Sequence, residues 1–412
     1  MKYLFVFLMM GLSSIANSQY ATATQPDCGD LLGLQTIDVY GEMPEDYTGI
    51  AFECKDGKVK RLHNYKEGKH DGLCREWYEN GQLEKEVNYK DDEEDGMYRR
   101  WHENGQESYS LYYNDGEKAG NEKYWYESGQ RKSEGMYKLQ TIVGSTTPGS
   151  LTSFITGVPY GLHRSWYENG QLKSETNYKN QYEDFDGELD GVSRHYYENG
   201  QLEWEANYKD GKKDGLDRSW YKNGQVKSGS FIDGYGQLES QTNWIDDRQE
   251  GLSRSWYENG QLKSKVKFID GVGEGIQSEW FENGQLKSKT MLKNGREDGI
   301  YRKWWKDNGK LKLEGNYYSY LNDSDKSNDW WPSVLDGWYT EYYLDGDVKN
   351  TGKYWKGEKI GVWRFYYDTA VNKEQKRRKA VFSDAVGAST GKSVLISKEC
   401  WDIDGNEREC DY

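Results

Sequence analysis

From Gly72 the chain alternates. Leu73, Arg75 and Trp77 occupy one set of positions and Cys74, Glu76 and Tyr78 the other; after Asn80-Gly81 a second run follows, Leu83, Lys85, Val87 and Tyr89. A two-residue period puts successive side chains on opposite faces of an extended strand. The aromatic and β-branched residues within it favour strands as well. The second run is expected to form a stripe matching Leu73, Arg75 and Trp77. Between the runs, Asn80-Gly81 supplies the residue types that a two-residue type I′ hairpin turn requires, because both accept positive φ.

This hairpin pattern repeats along the chain. Ser165 to Tyr178 reads SWYENGQLKSETNY, and Ser255 begins SWYENGQLKSKVKF. Asn-Gly recurs at Asn104, Asn169, Asn199, Asn223, Asn259, Asn283 and Asn308, with Ser128-Gly129 and Asp345-Gly346 in the same place. Opening glycines at Gly72, Gly96, Gly120, Gly161, Gly191, Gly215, Gly251, Gly275, Gly299, Gly337 and Gly361 give a base period of 24. Extra residues fall near 138–160, 181–188, 232–250 and 318–336, read as longer loops after the second strand and never at the Asn-Gly turn. A repeat array tolerates insertions on one side in this way.

An isolated hairpin is marginal in water, so the units must stack. Trp77, Trp101, Trp125, Trp166, Trp220, Trp256, Trp280 and Trp304 form an aromatic ladder suited to packing between hairpins. Full burial of one such ring is worth at most about 4–6 kcal/mol. The preceding same-face arginines, such as Arg75 and Arg164, are expected to lie near these rings as cation–π partners. The second ring of each unit (Tyr78, Tyr126, Tyr167, Tyr197, Tyr221, Tyr257 and Phe281) is the candidate open contact surface. The expected fold is all-β: an elongated, open-ended, single-track array of stacked 24-residue β-hairpins.

The ends of the chain differ from the array. Met1–Ser18 has the form of a secretory signal, with Lys2, an apolar run to Leu12, and small residues before Gln19. The apolar run is too short to span a bilayer, and no other transmembrane candidate follows. Residues 19–48 form a lead-in, 49–368 the array, and 369–412 a carboxy-terminal region closed by a hairpin cap. The basic run from Lys373 to Lys379 reads as a solvated loop. An exported chain is expected to carry disulfides. Cys400 and Cys410 flank Asp404-Gly405, which can turn the chain between them. Cys54 with Cys74 is the second expected pair, leaving Cys28 free.

Composition removes several functions. The net charge of −15 argues against nucleic acid and anionic lipid as bulk electrostatic partners. His63, His70, His102, His163 and His195 occupy unrelated repeat positions without metal-ligand spacing. Acidic clusters such as Asp91–Asp95 lack the calcium-loop spacing. No nucleophile elbow or phosphate loop is present. No catalytic residue, metal or cofactor is therefore expected.

The unit G-[LIVM]-x-R-x-W-Y-x-N-G-Q-L…Y-K-x-G resembles the MORN-repeat variant, familiar from YwqK-family antitoxin components of toxin–antitoxin modules. The resemblance spans roughly residues 49–368 and rests on the Trp-Tyr pairs, Asn-Gly turns and opening glycines. It implies a stacked-hairpin fold, a protein-binding role and neutralisation of a partner toxin, with no catalytic residues. The reading is an exported non-enzymatic scaffold for another protein, located in the bacterial periplasm, at the cell surface or outside the cell. A glycan-binding surface protein and a periplasmic immunity protein are the alternatives.

Overall fold

The computed structural model describes residues 25–31, 44–147, 150–179, 187–222, 236–319, 333–366, 377–382, 395–401 and 406–409. The signal and Cys410 lie outside them. The chain divides into two units, residues 1–201 with 207–212 and residues 202–206 with 213–412. Each is an antiparallel meander whose strands pair with their neighbours in sequence. No described pairing closes either sheet on itself.

The first strands set the pattern: β1 (Gly49–Lys55), β2 (Lys58–Lys66), β3 (Lys69–His70), β4 (Gly72–Trp77), β5 (Leu83–Lys90) and β6 (Glu93–Trp101). Leu31, Ile50, Phe52, Val59, Leu62, Trp77 and Leu83 form a buried core at this amino-terminal end, with Trp101 packed against it. Elsewhere the sheet has a single layer. Of the Trp ladder, Trp77 and Trp220 are fully buried, while Trp101, Trp125, Trp166, Trp256, Trp280 and Trp304 are half-buried, having no second layer above them.

The Asn-Gly turn differs from the two-residue type I′ turn expected of it. At Asn80-Gly81 only the glycine has positive φ, 88°. The Gly81 amide donates to Tyr78 O (3.0 Å) and the Tyr78 amide to Gln82 O (2.9 Å). That is a three-residue loop, a type I turn closed by a left-handed glycine. Asn80 acts through its side chain, its Oδ1 accepting from the Gln82 amide at 2.9 Å. The two-residue turn with both residues at positive φ sits between repeats, at Asp91 (51°) and Asp92 (75°), where Lys90 faces Glu93.

A bulge follows each loop. Trp77 faces Leu83, whereas Glu76 faces Lys85, Arg75 faces Glu86 and Cys74 faces Val87. The one-residue slip turns Lys85, Val87 and Tyr89 onto the face of Cys74 and Glu76, so the stripe expected to match Arg75 lies on the other side. Arg75 and Arg164 accordingly meet carboxylates across the hairpin, Glu86 at 2.8 Å and Glu175 at 3.0 Å, while Arg218, which faces Gln241, reaches Glu205 on the preceding repeat at 3.3 Å.

Two inserts differ from their expected form. Residues 138–160 extend a hairpin rather than a loop: Arg131–Thr147 and Ser150–Trp166 stay paired from Met136–Tyr160 to Thr147–Ser150. In the unit that opens at Gly215, Trp220 faces Leu238, and the Tyr221 amide donates to Gln237 O. Residues 238–249 are therefore ordinary repeat strand, and the extra chain enters at the turn, where none was expected. A second Gly-Gln-Leu at Gly236 takes the strand role that Gly224-Gln225-Val226 suggested. At the carboxy end Arg377–Phe382 forms a strand beside Glu358–Tyr366, so Arg377, Arg378 and Lys379 are not loop.

The disulfide joins Cys28 to Cys54, not Cys54 to Cys74. β2 pairs with β1 on one side and β4 on the other, so it stands between Cys54 and Cys74. Two strand spacings of about 4.8 Å exceed the reach of a disulfide. Cys28 is carried to Cys54 by the lead-in, whose Cys28 amide donates to Gly57 O and whose Asp27 bridges Lys58. Cys74 is free and buried, and that burial pushes its thiol up to about 12. Cys400 is disulfide-bonded.

Candidate interaction face

The second ring of each unit fastens one repeat to the next. The hydroxyls of Tyr78, Tyr126, Tyr167, Tyr221 and Tyr257 donate to the carbonyls of Trp101, Trp166, Tyr196, Trp256 and Trp280 at 2.8–2.9 Å. Lys132, Lys173 and Lys263 lie over the rings of Tyr126, Tyr167 and Tyr257. With the hydroxyl bonded, and with one ring face covered at Tyr126, Tyr167 and Tyr257, these tyrosines tie one unit to the next. Tyr197 holds the same turn position, its amide donating to Gln201 O. Phe281 does likewise toward Gln285 but has no hydroxyl. The turn asparagines add a second tie: Asn80, Asn104, Asn169 and Asn259 donate to Glu103, Glu127, Glu198 and Glu282 O.

One face of the first unit gathers rings that the repeat alignment did not single out. Tyr98, Tyr109, Tyr113 and Tyr124 contact one another, with Tyr109–Tyr124 centroids 4.7 Å apart. Beneath them lies the buried Glu122, which accepts from Lys118 Nζ (2.7 Å), Tyr109 OH (3.1 Å) and Tyr124 OH (3.2 Å). His163 packs between Tyr137 and Tyr178. That position requires glycine opposite, since a Cβ on Gly135 would stand 2.1 Å from His163 Nδ1.

The fold also joins two histidines whose spacing suggested nothing. His63 Nδ1 lies 3.2 Å from His70 Nε2, which is 2.9 Å from Tyr65 OH, while Asp92 Oδ1 is 3.2 Å from His70 Nδ1. These contacts link the groups within a half-buried ring cluster, with His63 Nε2 buried and without a hydrogen-bond partner among the described residues.

The second unit exposes apolar side chains on one sheet face. Ile276 (56 % exposed) faces Met291 (38 %) across a hairpin. Met291 lies against Gly299, where a Cβ would come within 3.2 Å of its own Cβ. The next residue is Ile300 (53 %), facing Asn316. Trp338 (61 %) follows, facing Lys353, whose Nζ sits 4.7 Å from the ring centroid. Ile276, Met291 and Ile300 adjoin one another, with Trp338 one strand further on beyond Asn316, and exposed apolar residues grouped in this way mark binding surfaces. Alternation supports the sheet but not this choice of side chain, because neighbouring repeats place Asn or Lys at several equivalent positions.

Repeated antiparallel hairpins with fastened turns and an exposed apolar row define a repeat module of interaction type. Six segments, 71–91, 118–139, 159–180, 189–210, 249–270 and 273–294, match the family model described as MORN repeat variant. Those six segments are similar to MORN-variant repeats. Two solved structures show weak likeness. The crystal structure of TcdB2–TccC3 without its hypervariable C-terminal region shares 11 % identity over 82 % of this chain and 19 % of that one, with a TM-score of 0.16. That of TcdB2–TccC3 shares 11 % over 86 % and 26 %, with a TM-score of 0.12. This chain spans about a quarter or less of those lengths, and at such scores the likeness carries no structural argument. No curated protein matches.

Proposed function

We propose that this chain is an exported, non-enzymatic scaffold that binds another protein through the apolar row Ile276–Met291–Ile300–Trp338. The exposure of that row carries the reading, since large apolar side chains left in water on a sheet face are suited to burial against a partner. The Cys28–Cys54 disulfide fits an oxidising compartment. Among the described residues no helix is long and apolar enough to cross a membrane.

The test is affinity capture with residues 19–412 from the cell-envelope fraction of the source, comparing the wild-type chain with Ile276→Asp/Ile300→Asp. One enriched protein with wild type, lost with the variant, is the expected result. Equal capture by both removes this row from the function. A captured protein that is toxic when produced alone would refine the reading to an immunity protein. Trp338 also offers a stacking surface for a sugar, so retention on a glycan array abolished by Trp338→Ala would favour the glycan reading.

A further inference from the structure

We propose that the partner which docks on this row is an acidic protein, presenting carboxylates around an aliphatic centre. The inference rests on the scaffold reading and names the chemistry of its partner. In three hairpins of the first unit the repeat sets a cation opposite a carboxylate: Arg75 faces Glu86, Lys123 faces Glu134 and Arg164 faces Glu175; where Lys85 meets Arg100 between repeats, Glu76 and Glu84 lie 3.5 Å from the two cations. Beside the apolar row like charges meet. Arg254 faces Lys265, and Lys289 faces Arg302 across adjoining strands. Arg302 retains Glu314 at 3.2 Å on its other side. Lys265, Lys289 and Arg302 are exposed. Like charges directly opposite destabilise a sheet, so these pairs are unfavourable until something negative covers them.

The concentration of cations is local. Residues 1–200 hold 21 Lys or Arg against 34 Asp or Glu, whereas residues 251–320 hold 13 against 9. A chain of net charge −15 thus keeps a positive stretch around its exposed isoleucines. Nucleic acid or a sulfated polysaccharide would answer the charge but leave Ile276 and Ile300 without an aliphatic counterpart. An anionic bilayer answers both, yet its uniform negative plane would also approach the exposed Glu258, Asp270, Glu282 and Asp307 at the turns. A protein can confine its carboxylates to the cations, and complementary placement of that kind fixes partner and register.

The test uses Lys265→Glu/Lys289→Glu in the full mature chain. Lys265→Glu restores the cation–carboxylate pair seen at Arg75 and Glu86, so the variant is expected to melt at the same temperature or higher. The probe is a fluorescent amphipathic peptide with leucines on one face flanked by glutamates, beside its lysine-for-glutamate counterpart and phosphatidylglycerol vesicles. Wild type should bind the acidic peptide in preference to both, and the double variant should weaken that binding about tenfold or more, with strong salt dependence. Binding unchanged by the variant, equal binding of the lysine peptide, or tighter binding of vesicles overturns the proposal. In the envelope capture, loss with Ile276→Asp/Ile300→Asp but full retention with Lys265→Glu/Lys289→Glu would leave the scaffold standing and remove the acidic partner.

Discussion

His163 shows how one buried titratable side chain sets a pH dependence. Its ring packs between Tyr137 and Tyr178, and burial holds its pKa below the ordinary imidazole value. An unfolded histidine takes its proton near pH 6.5. As pH falls through that value the unfolded chain gains a proton that the folded ring refuses. Its stabilising contribution, present above pH 6.5, is therefore lost on the acid side. His63 is pushed down in the same sense, to about 4, by burial and its neighbour His70. His163→Gln leaves His63 in place, so comparing the two proteins isolates one group. Urea midpoints at pH 7.5 and 5.5 should fall further for wild type than for the variant. Parallel falls would mean that His163 does not contribute. This role is not legible in the sequence, because the histidine reaches its partners only across strands and over Gly135.

The repeated element is stabilised by ties between successive hairpins as much as by side-chain packing. Tyr167→Phe deletes the donor to Tyr196 O and should destabilise by about 1 kcal/mol, the usual net worth of such a bond. Phe281 supplies the converse: Phe281→Tyr places a hydroxyl where its neighbours reach the next ladder carbonyl, and should stabilise by a similar amount. Thermal or urea unfolding of both variants checks this, and a neutral Tyr167→Phe would demote the tie to a bystander. The hairpins themselves were legible in the sequence, since period two and Asn-Gly are properties of single strands and turns. Register was less legible. The bulge after each loop is a backbone event, and it moved Lys85, Val87 and Tyr89 to the opposite face from the one alternation implies. The Asn-Gly loop departs from the expected turn for a related reason: Asn80 works as a side-chain acceptor, which composition cannot distinguish from a residue tolerating positive φ. The exposed row was not legible because Ile276 and Ile300 occupy a position where aliphatic residues are ordinary, and only the structure shows them exposed.

At the scale of the whole molecule, the distribution of apolar burial matters more than its total. The first unit anchors a single-layer sheet on one compact core, built from the lead-in residue Leu31, the strands β1 and β2, and Trp77 and Leu83. The Cys28–Cys54 bond holds that lead-in in place. In a repeat array each hairpin contacts chiefly its neighbours, so stability depends on intrinsic terms, nearest-neighbour terms and a capped end. The amino-terminal core is the natural cap. A fragment of residues 19–179 keeps it together with every pairing through Leu172–Tyr178, and is expected to unfold cooperatively in urea. Residues 72–179 keep most of the hairpins but lose Leu31, Ile50, Phe52, Val59 and Leu62, leaving Trp77 and Leu83 open to water. Re-exposing Trp77 alone forfeits up to about 4–6 kcal/mol, comparable to the whole stability of a small domain. The shorter fragment should therefore show little cooperative transition by circular dichroism. If it unfolded at the same urea concentration as the longer one, the stability of the array would reside in the inter-hairpin ties alone, and the amino-terminal core would be dispensable.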